Sequence, residues 1–228
     1  MAIHVTTALA EHVTDLAEQT FAVVTELRIQ AEEQIRTERD LSEMGLSIVQ
    51  KTTGLISGAG VITDRDPQQI EWWMGPGPTR LELDLDPASD DYVDVRRQPW
   101  FTVPRETGSR HVTGPYVDYV CAEQYALTFT EPIRDRDGTF AGIAGADVFV
   151  ADFERALRPA LRTVRSPTAL VNTQGRVIAG TTAHHLAGSL IRDAPIREAL
   201  ARQTPMTLPG GVSLAPCGTL PLTVLTWP

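Results

Sequence analysis

From Met1 to about Ile56 the chain carries no proline, and Leu9, Val13, Leu16, Thr20, Val23 and Leu27 recur at spacings of four and three residues. That spacing puts them on one face of an α-helix. The chain must therefore begin with a long helix that needs an apolar surface to lie on. The polar run from Arg28 to Asp40 keeps helical composition but loses the stripe, which resumes at Leu41, Met44, Ile48 and Leu55. A kink, a break or a second helix is expected between Thr37 and Ser42. The stripe packs on the protein's own sheet in one reading and across a dimer interface in the other, and a helix of this length often does both.

Downstream the apolar period shortens to two. "AGVITD" and "IEWWM" are short apolar runs punctuated by Gly54, Gly58, Gly60, Gly75, Pro76 and Pro78, as strands between turns are. "LELDLD" (81–86) alternates leucine with acid, which predicts an edge or hairpin strand with one buried face. Residues 116–121, 125–132 and 139–149 predict three further strands, with "RDRDG" as the Asp-Gly turn of a hairpin. "VADFERALRPAL" has helical spacing. Then "RSPTALVNTQGRVIAGT" repeats strand, glycine turn and strand, "IREALARQ" predicts a helix, and "LPLTVLTWP" a final strand. Sequential hairpins with helices at the margins define an α+β class: a long N-terminal helix, an antiparallel sheet flanked by helices, and a smaller second αβ lobe. The expected boundaries are 1–56 for the helical segment, 57–160 for the main lobe and 161–228 for the second.

A formal net charge of −9 disfavours nucleic acid, which requires clustered cations. No Lys/Arg run suits an anionic membrane surface, no apolar run reaches the ~20 residues that span a bilayer, and no secretory leader is evident. The expectation is a soluble, cytoplasmic chain. Cys121 and Cys217 are read as two reduced thiols, with a single bridge between them left open. His-Glu-x-x-His, Gly-x-Ser-x-Gly, Gly-Lys-Ser/Thr and Cys-x-x-Cys are all absent from the sequence, and adjacent His184 and His185 project apart. Neither a metal nor a cofactor is expected.

The segment "DVRRQPWFTVPRETGSRHVTGPYVDY" concentrates what a pocket needs. Trp100, Phe101, Tyr116 and Tyr119 supply apolar faces and two phenols, and Asp118 and Asp147 supply charge. Apolar walls with few polar anchors are the usual composition of a ligand site, and aromatic faces with a carboxylate suit a cationic amine. Each residue also has a plainer role. Trp100 can plug the end of a sheet, Arg96 and Arg97 can pair with Asp91 or Asp94, and Asp118 can cap a turn. Asp147 follows "GIAGA" inside an apolar strand, so it needs a partner: a ligand, Arg96 or a backbone amide. Trp72 and Trp73 point opposite ways in a strand, one toward pocket or core and the other toward an interface.

Taken in order, the long first helix, "YVDVRRQPWF", "GPYVDY", "LTFTEPIRDRDGTFAGIAGADV" and a second hairpin lobe resemble the Cache sensor domains, PAS-like and of the double form, of chemoreceptors and sensor kinases. The resemblance spans about Leu9 to Trp227 and implies an antiparallel PAS-like sheet that encloses a small metabolite. In the subgroup that takes amino acids or amines, Tyr92, Trp100, Tyr116, Asp118 and Asp147 fall on the matching positions. Gln98, with Arg97 upstream, stands where that subgroup has arginine, and Phe101 replaces a tyrosine. The implied function is a small-molecule sensor for an amine or amino-acid-like metabolite, or for a small carboxylate if Arg96 or Arg97 faces inward. It would signal to a separate effector protein or as a homodimer through the first helix. The competing class is a small enzyme, a hydrolase or lyase using Asp118 and Asp147 on the same scaffold.

Overall fold

Helix α1 runs from Ala2 to Arg36 in a computed structural model that describes residues 2–42, 44–51, 54–86, 88–90, 92–118 and 123–228. Leu9, Val13, Leu16, Thr20 and Leu27 are buried as their spacing demands, while Phe21 and Val24, rather than Val23, carry the stripe through its middle. The stripe does not lapse after Leu27, contrary to the sequence expectation: Ala31 and Ile35 continue it into the polar run. Alanine is too small to announce itself among charges, yet its size lets the helix lie close to what it covers. The helix ends in the expected window, with Thr37 N bonding Glu33 O, and α2 (Leu46–Lys51) follows a turn.

The strands are β1 (Ile56–Thr63), β2 (Ile70–Met74), β3 (Thr79–Arg80), β4 (His111–Asp118), β5 (Gln124–Arg134) and β6 (Phe140–Phe149). They form one six-stranded sheet in the order β3-β2-β1-β6-β5-β4. β1 pairs antiparallel with both β2 and β6. The tight turn between β5 and β6 is held by Asp135, whose Oδ1 accepts from the backbone N–H of Asp137 and of Thr139 at 2.9 Å each.

One expectation fails here. Leu81–Asp86 is not a strand, because the ladder stops at Arg80. Its leucines are nonetheless half-buried and its acids exposed in strict alternation, packing on the same apolar cluster as Val93 and Trp100. A period of two reports an extended chain with one face covered, which a segment crossing a core also satisfies. The Pro-Trp segment, to which the sequence assigned no element, is helical. A 3₁₀ turn (Val95–Arg97) leads into helix α3 (Pro99–Thr107). Pro99 at the first helical position supplies a ready φ and lacks only an N–H that would have no helical partner, and Gln98 before it is extended, as a residue preceding proline prefers.

Helix α4 (Val150–Leu161) follows β6 directly and buries Val150, Phe153, Leu157 and Leu161 at helical spacing, packing on β8. β7 (Thr168–Asn172), β8 (Val177–Gly180), β9 (Met206–Thr207), β10 (Ser213–Pro216) and β11 (Leu222–Thr226) form a five-stranded sheet in the order β8-β7-β11-β10-β9. Helix α5 (Ala194–Leu200), capped by Asp193 Oδ1 on Ile196 N at 3.0 Å, closes a core of Val171, Val177, Ile196, Leu200, Leu214 and Leu225. Within this lobe β9 and β10 escape the sequence reading. The α+β class with a long first helix, a PAS-like sheet and a smaller second lobe is therefore the observed one. By contact density the chain divides into two compact units, one of Gln19–Thr113 with Thr128–Val148, the other of Met1–Glu18, Gly114–Leu127 and Phe149–Pro228.

Candidate functional site

Within the first of these units the sheet has two unlike faces. On one, Phe129 of β5 meets Phe21 of α1 edge to face at 5.3 Å, and Glu131 accepts from Thr25 Oγ1 and Arg28 Nε, both at 2.8 Å. On the other, Ile62, Ile70, Trp72, Val95, Phe101 and Ile143 form a buried cluster with α3. Asp147 of β6 belongs to this second face. It is 7% exposed. Its Oδ2 accepts from Trp72 Nε1 at 3.0 Å and its Oδ1 from Thr128 Oγ1 at 2.6 Å.

The register of three strands explains how an indole on β2 reaches a carboxylate on β6. Gly60 lies opposite Trp72 on one side and Gly145 on the other, and Gly58 lies opposite Met74 and Asp147. Glycines two apart on a strand share a face, so "SGAGV" and "GIAGAD" leave a strip of that face without side chains. The indole lies on the strip. A Cβ placed on Gly145 would stand 2.9 Å from Trp72 Cη2, and one on Gly58 would meet the Met74 thioether first and stand 3.1 Å from the indole Nε1, so a side chain at either position would push its neighbours aside. Thr128 and Thr130 of β5 flank the strip on the far side; Thr130 is fully buried, and its Oγ1 has no hydrogen-bond partner among the described residues.

The residues singled out from sequence are brought together in part. Phe101 is 0% exposed at the centre of the cluster, edge-on to Trp100 at 6.3 Å and to Phe140 at 5.5 Å. Trp100 is half-buried beside it, and Trp72 links the cluster to Asp147. Tyr92 is 38% exposed. Arg97 turns to solvent, its Nε 3.1 Å from Asp94, and Gln98 Nε2 reaches the Asp94 carbonyl at 3.5 Å. Arg96 is engaged by Asp64 at 3.2 Å and by the Arg65 carbonyl at 2.7 Å. Tyr116, half-buried in β4, and Asp118, buried at its end, belong to the other unit. Tyr119, Cys121 and Asp91 lie outside the described residues.

Sequence reasoning passed over Trp72 as a core residue by default and did not weigh Thr128 or the glycine strip. The signal was present: glycines at 58 and 60, and at 145 two residues before an acid, share one strand face in each case. In the other unit His185 stacks on Trp227 at 4.2 Å, beside a cavity of about 570 Å³ that Ile191, Ile196, Leu208 and Val212 help to line. Burial pushes the Cys217 thiol up to about 12, far from nucleophilic use. Among the described residues no three of His, Cys, Asp and Glu gather where a metal could sit, and no helix is long and apolar enough to cross a membrane.

Residues 79–155 match the family model described as methyl-accepting chemotaxis protein-like, first PDC sensor domain. No curated protein matches the chain significantly. Solved structures do. The extracellular domain of mmHK1S-Z3 is 14% identical over 99% of this chain and 92% of its own, with a TM-score of 0.75. The ligand-binding domain of the Pseudomonas aeruginosa PAO1 amino acid chemoreceptor PctB, in complex with L-Arg, is 15% identical over 98% and 91%, at 0.63. The sensory domain of the Campylobacter jejuni chemoreceptor Tlp3, with isoleucine bound, is 17% identical over 99% and 91%, at 0.58. At such identities the likeness is one of fold.

Proposed function

With the fold of the Cache-type (PDC) sensor domains and a PDC match over residues 79–155, the chain is, we propose, a small-molecule sensor module whose ligand carries an ammonium group addressed by Asp147. One observation carries this reading. Asp147 is a buried carboxylate on the sheet face that α3 covers, and both its oxygens are fixed by the neutral donors Trp72 Nε1 and Thr128 Oγ1. Hydrogen bonds of this kind hold a carboxylate in a fixed orientation. A buried carboxylate with the Trp72 indole against it, on the face where Trp72 joins the Phe101 cluster, is the kind of environment that recognises a cationic amine. The likeness to a domain solved with L-Arg and to one solved with isoleucine supports the amino-acid-like end of that class. Arg97 is directed to solvent and Arg96 is occupied, which argues for an amine rather than a simple carboxylate. Helix α1, shared by both units, is the element through which binding would bias a second copy or a separate effector protein.

The test is thermal denaturation in the presence of amines, amino acids and small carboxylates, followed by chemical analysis of any ligand found. A ligand at a hundred times its Kd adds about 2.7 kcal/mol of stability. An ammonium-bearing compound is expected to raise the melting temperature and to be recovered unchanged, and Asp147→Asn is expected to weaken it at least about tenfold, since one lost charge-assisted bond amounts to about 1.5–3 kcal/mol. Equal affinity in Asp147→Asn, or steady consumption of the ligand, overturns the reading.

A further inference from the structure

We propose that Trp72 sets the size of ligand that Asp147 can take, because its indole fills the slot beside the carboxylate that the glycine strip leaves open. The inference rests on Asp147 as the ligand's anchor. Gly58, Gly60 and Gly145 are opposed across β1 and β6 at the level of Trp72 and Asp147, so backbone alone forms the slot's floor. Trp72 occupies that floor over Gly145, with its Cη2 there and its Nε1 on Asp147, while the Met74 thioether covers Gly58.

An independent feature marks the slot as more than close packing. At its β5 end stands Thr130, whose methyl lies 3.0 Å from a Cβ built on Gly145, next to the indole's Cη2. The same side chain is fully buried and its hydroxyl is unpartnered among the described residues. A buried hydroxyl without a partner is costly in a tightly packed core, and a strand position sealed by an indole calls for valine. Thr130 thus carries an unpartnered hydroxyl on the side chain whose methyl bounds the floor. With the indole down, the admitted ligand is a small amine lying over Asp147. Without it the slot takes a longer amine whose polar tip ends at Thr130.

The experiment uses the whole chain, with melting curves of each variant to establish folding. Calorimetric titration compares wild type, Trp72→Ala and Trp72→Phe against a homologous series of primary amines and amino alcohols of increasing length. Wild type is expected to bind only the short members. Trp72→Ala is expected to shift the optimum to longer members by at least tenfold. Trp72→Phe keeps one aromatic ring but loses the N–H and the atoms over Gly145, so it is expected to weaken the short members several-fold and to shift the optimum less far than Trp72→Ala. An unchanged length preference in Trp72→Ala overturns the proposal, as does absence of binding to wild type and Trp72→Ala alike. Binding by Trp72→Ala alone supports it. Asp147→Asn separates the two readings: a length shift in Trp72→Ala with undiminished affinity in Asp147→Asn retains the indole as the size limit and discards the carboxylate as anchor.

Discussion

Thr128 and Thr130 are two residues apart on β5 and face the same way, yet only one donates to a carboxylate. Thr128 Oγ1 gives its proton to Asp147 at 2.6 Å, whereas Thr130 Oγ1 is enclosed and unmet among the described residues. Valine at either position removes a hydroxyl and keeps the shape, so the pair reads out what each hydroxyl does. Thr128→Val should destabilise by about 1–3 kcal/mol, since it strips a bond from a buried charge. Thr130→Val should be neutral or stabilise by about 1 kcal/mol, because an unmet polar group leaves a buried site. Chemical denaturation of the two variants checks this, and a loss at position 130 equal to that at 128 contradicts it. Residue identity alone cannot separate two threonines of one strand face. What distinguishes them is the neighbour on β6, aspartate at 147 and glycine at 145, and that pairing is fixed only when the strands come together.

The same limit and the same strength recur among the elements. Helix α1, β2, the β5–β6 hairpin and α5 are legible because each is specified by its own residues: a six-position stripe, an apolar run between glycines, an Asp-Gly turn, and helical composition in "IREALARQ". Leu81–Asp86 misled because alternation is satisfied by any extended chain with one covered side, and hydrogen bonding to a neighbour is not written in it. Helix α3 was missed because a proline, two aromatics and a second proline at 104 read as punctuation, although Pro99 sits where a helix tolerates it best. Asp147 was recognised as needing a partner, but the partner came from a strand 75 residues away. The close approach of α1 to the sheet gives a direct check at this scale. Ala31 is 0% exposed, one turn beyond Leu27 on the buried side. Ala31→Leu adds bulk where no room exists and should destabilise by about 1–3 kcal/mol, while leucine at the exposed neighbour Gln30 should change little. Equal thermal unfolding of the two variants would contradict the packing described.

For the molecule as a whole, the clearest environmental dependence comes from histidine. Burial lowers the pKa of His111, and burial with the nearby charge of His184 lowers that of His185, both from an ordinary value of 6.5. Each ring therefore takes up a proton less readily in the folded chain than in the unfolded one. Above about pH 6.5 both states leave these rings neutral and stability does not depend on them. As pH falls from about 6.5 toward 5 the unfolded state binds protons first, and stability declines with a slope set by the difference in bound protons. Melting temperatures across that range should fall with acidity, and His111→Gln should flatten part of the fall. A profile that rises toward pH 5, or one that His111→Gln leaves unaltered, contradicts this assignment. The larger sheet, meanwhile, ends on β3, a margin two residues long whose Arg80 is tied back to Glu71, after which the backbone departs with its leucines turned inward. So short a border offers a foreign segment too few free amides and carbonyls to zip onto. Crowded or partly denatured copies thus lack a template on that side from which to grow fibrils.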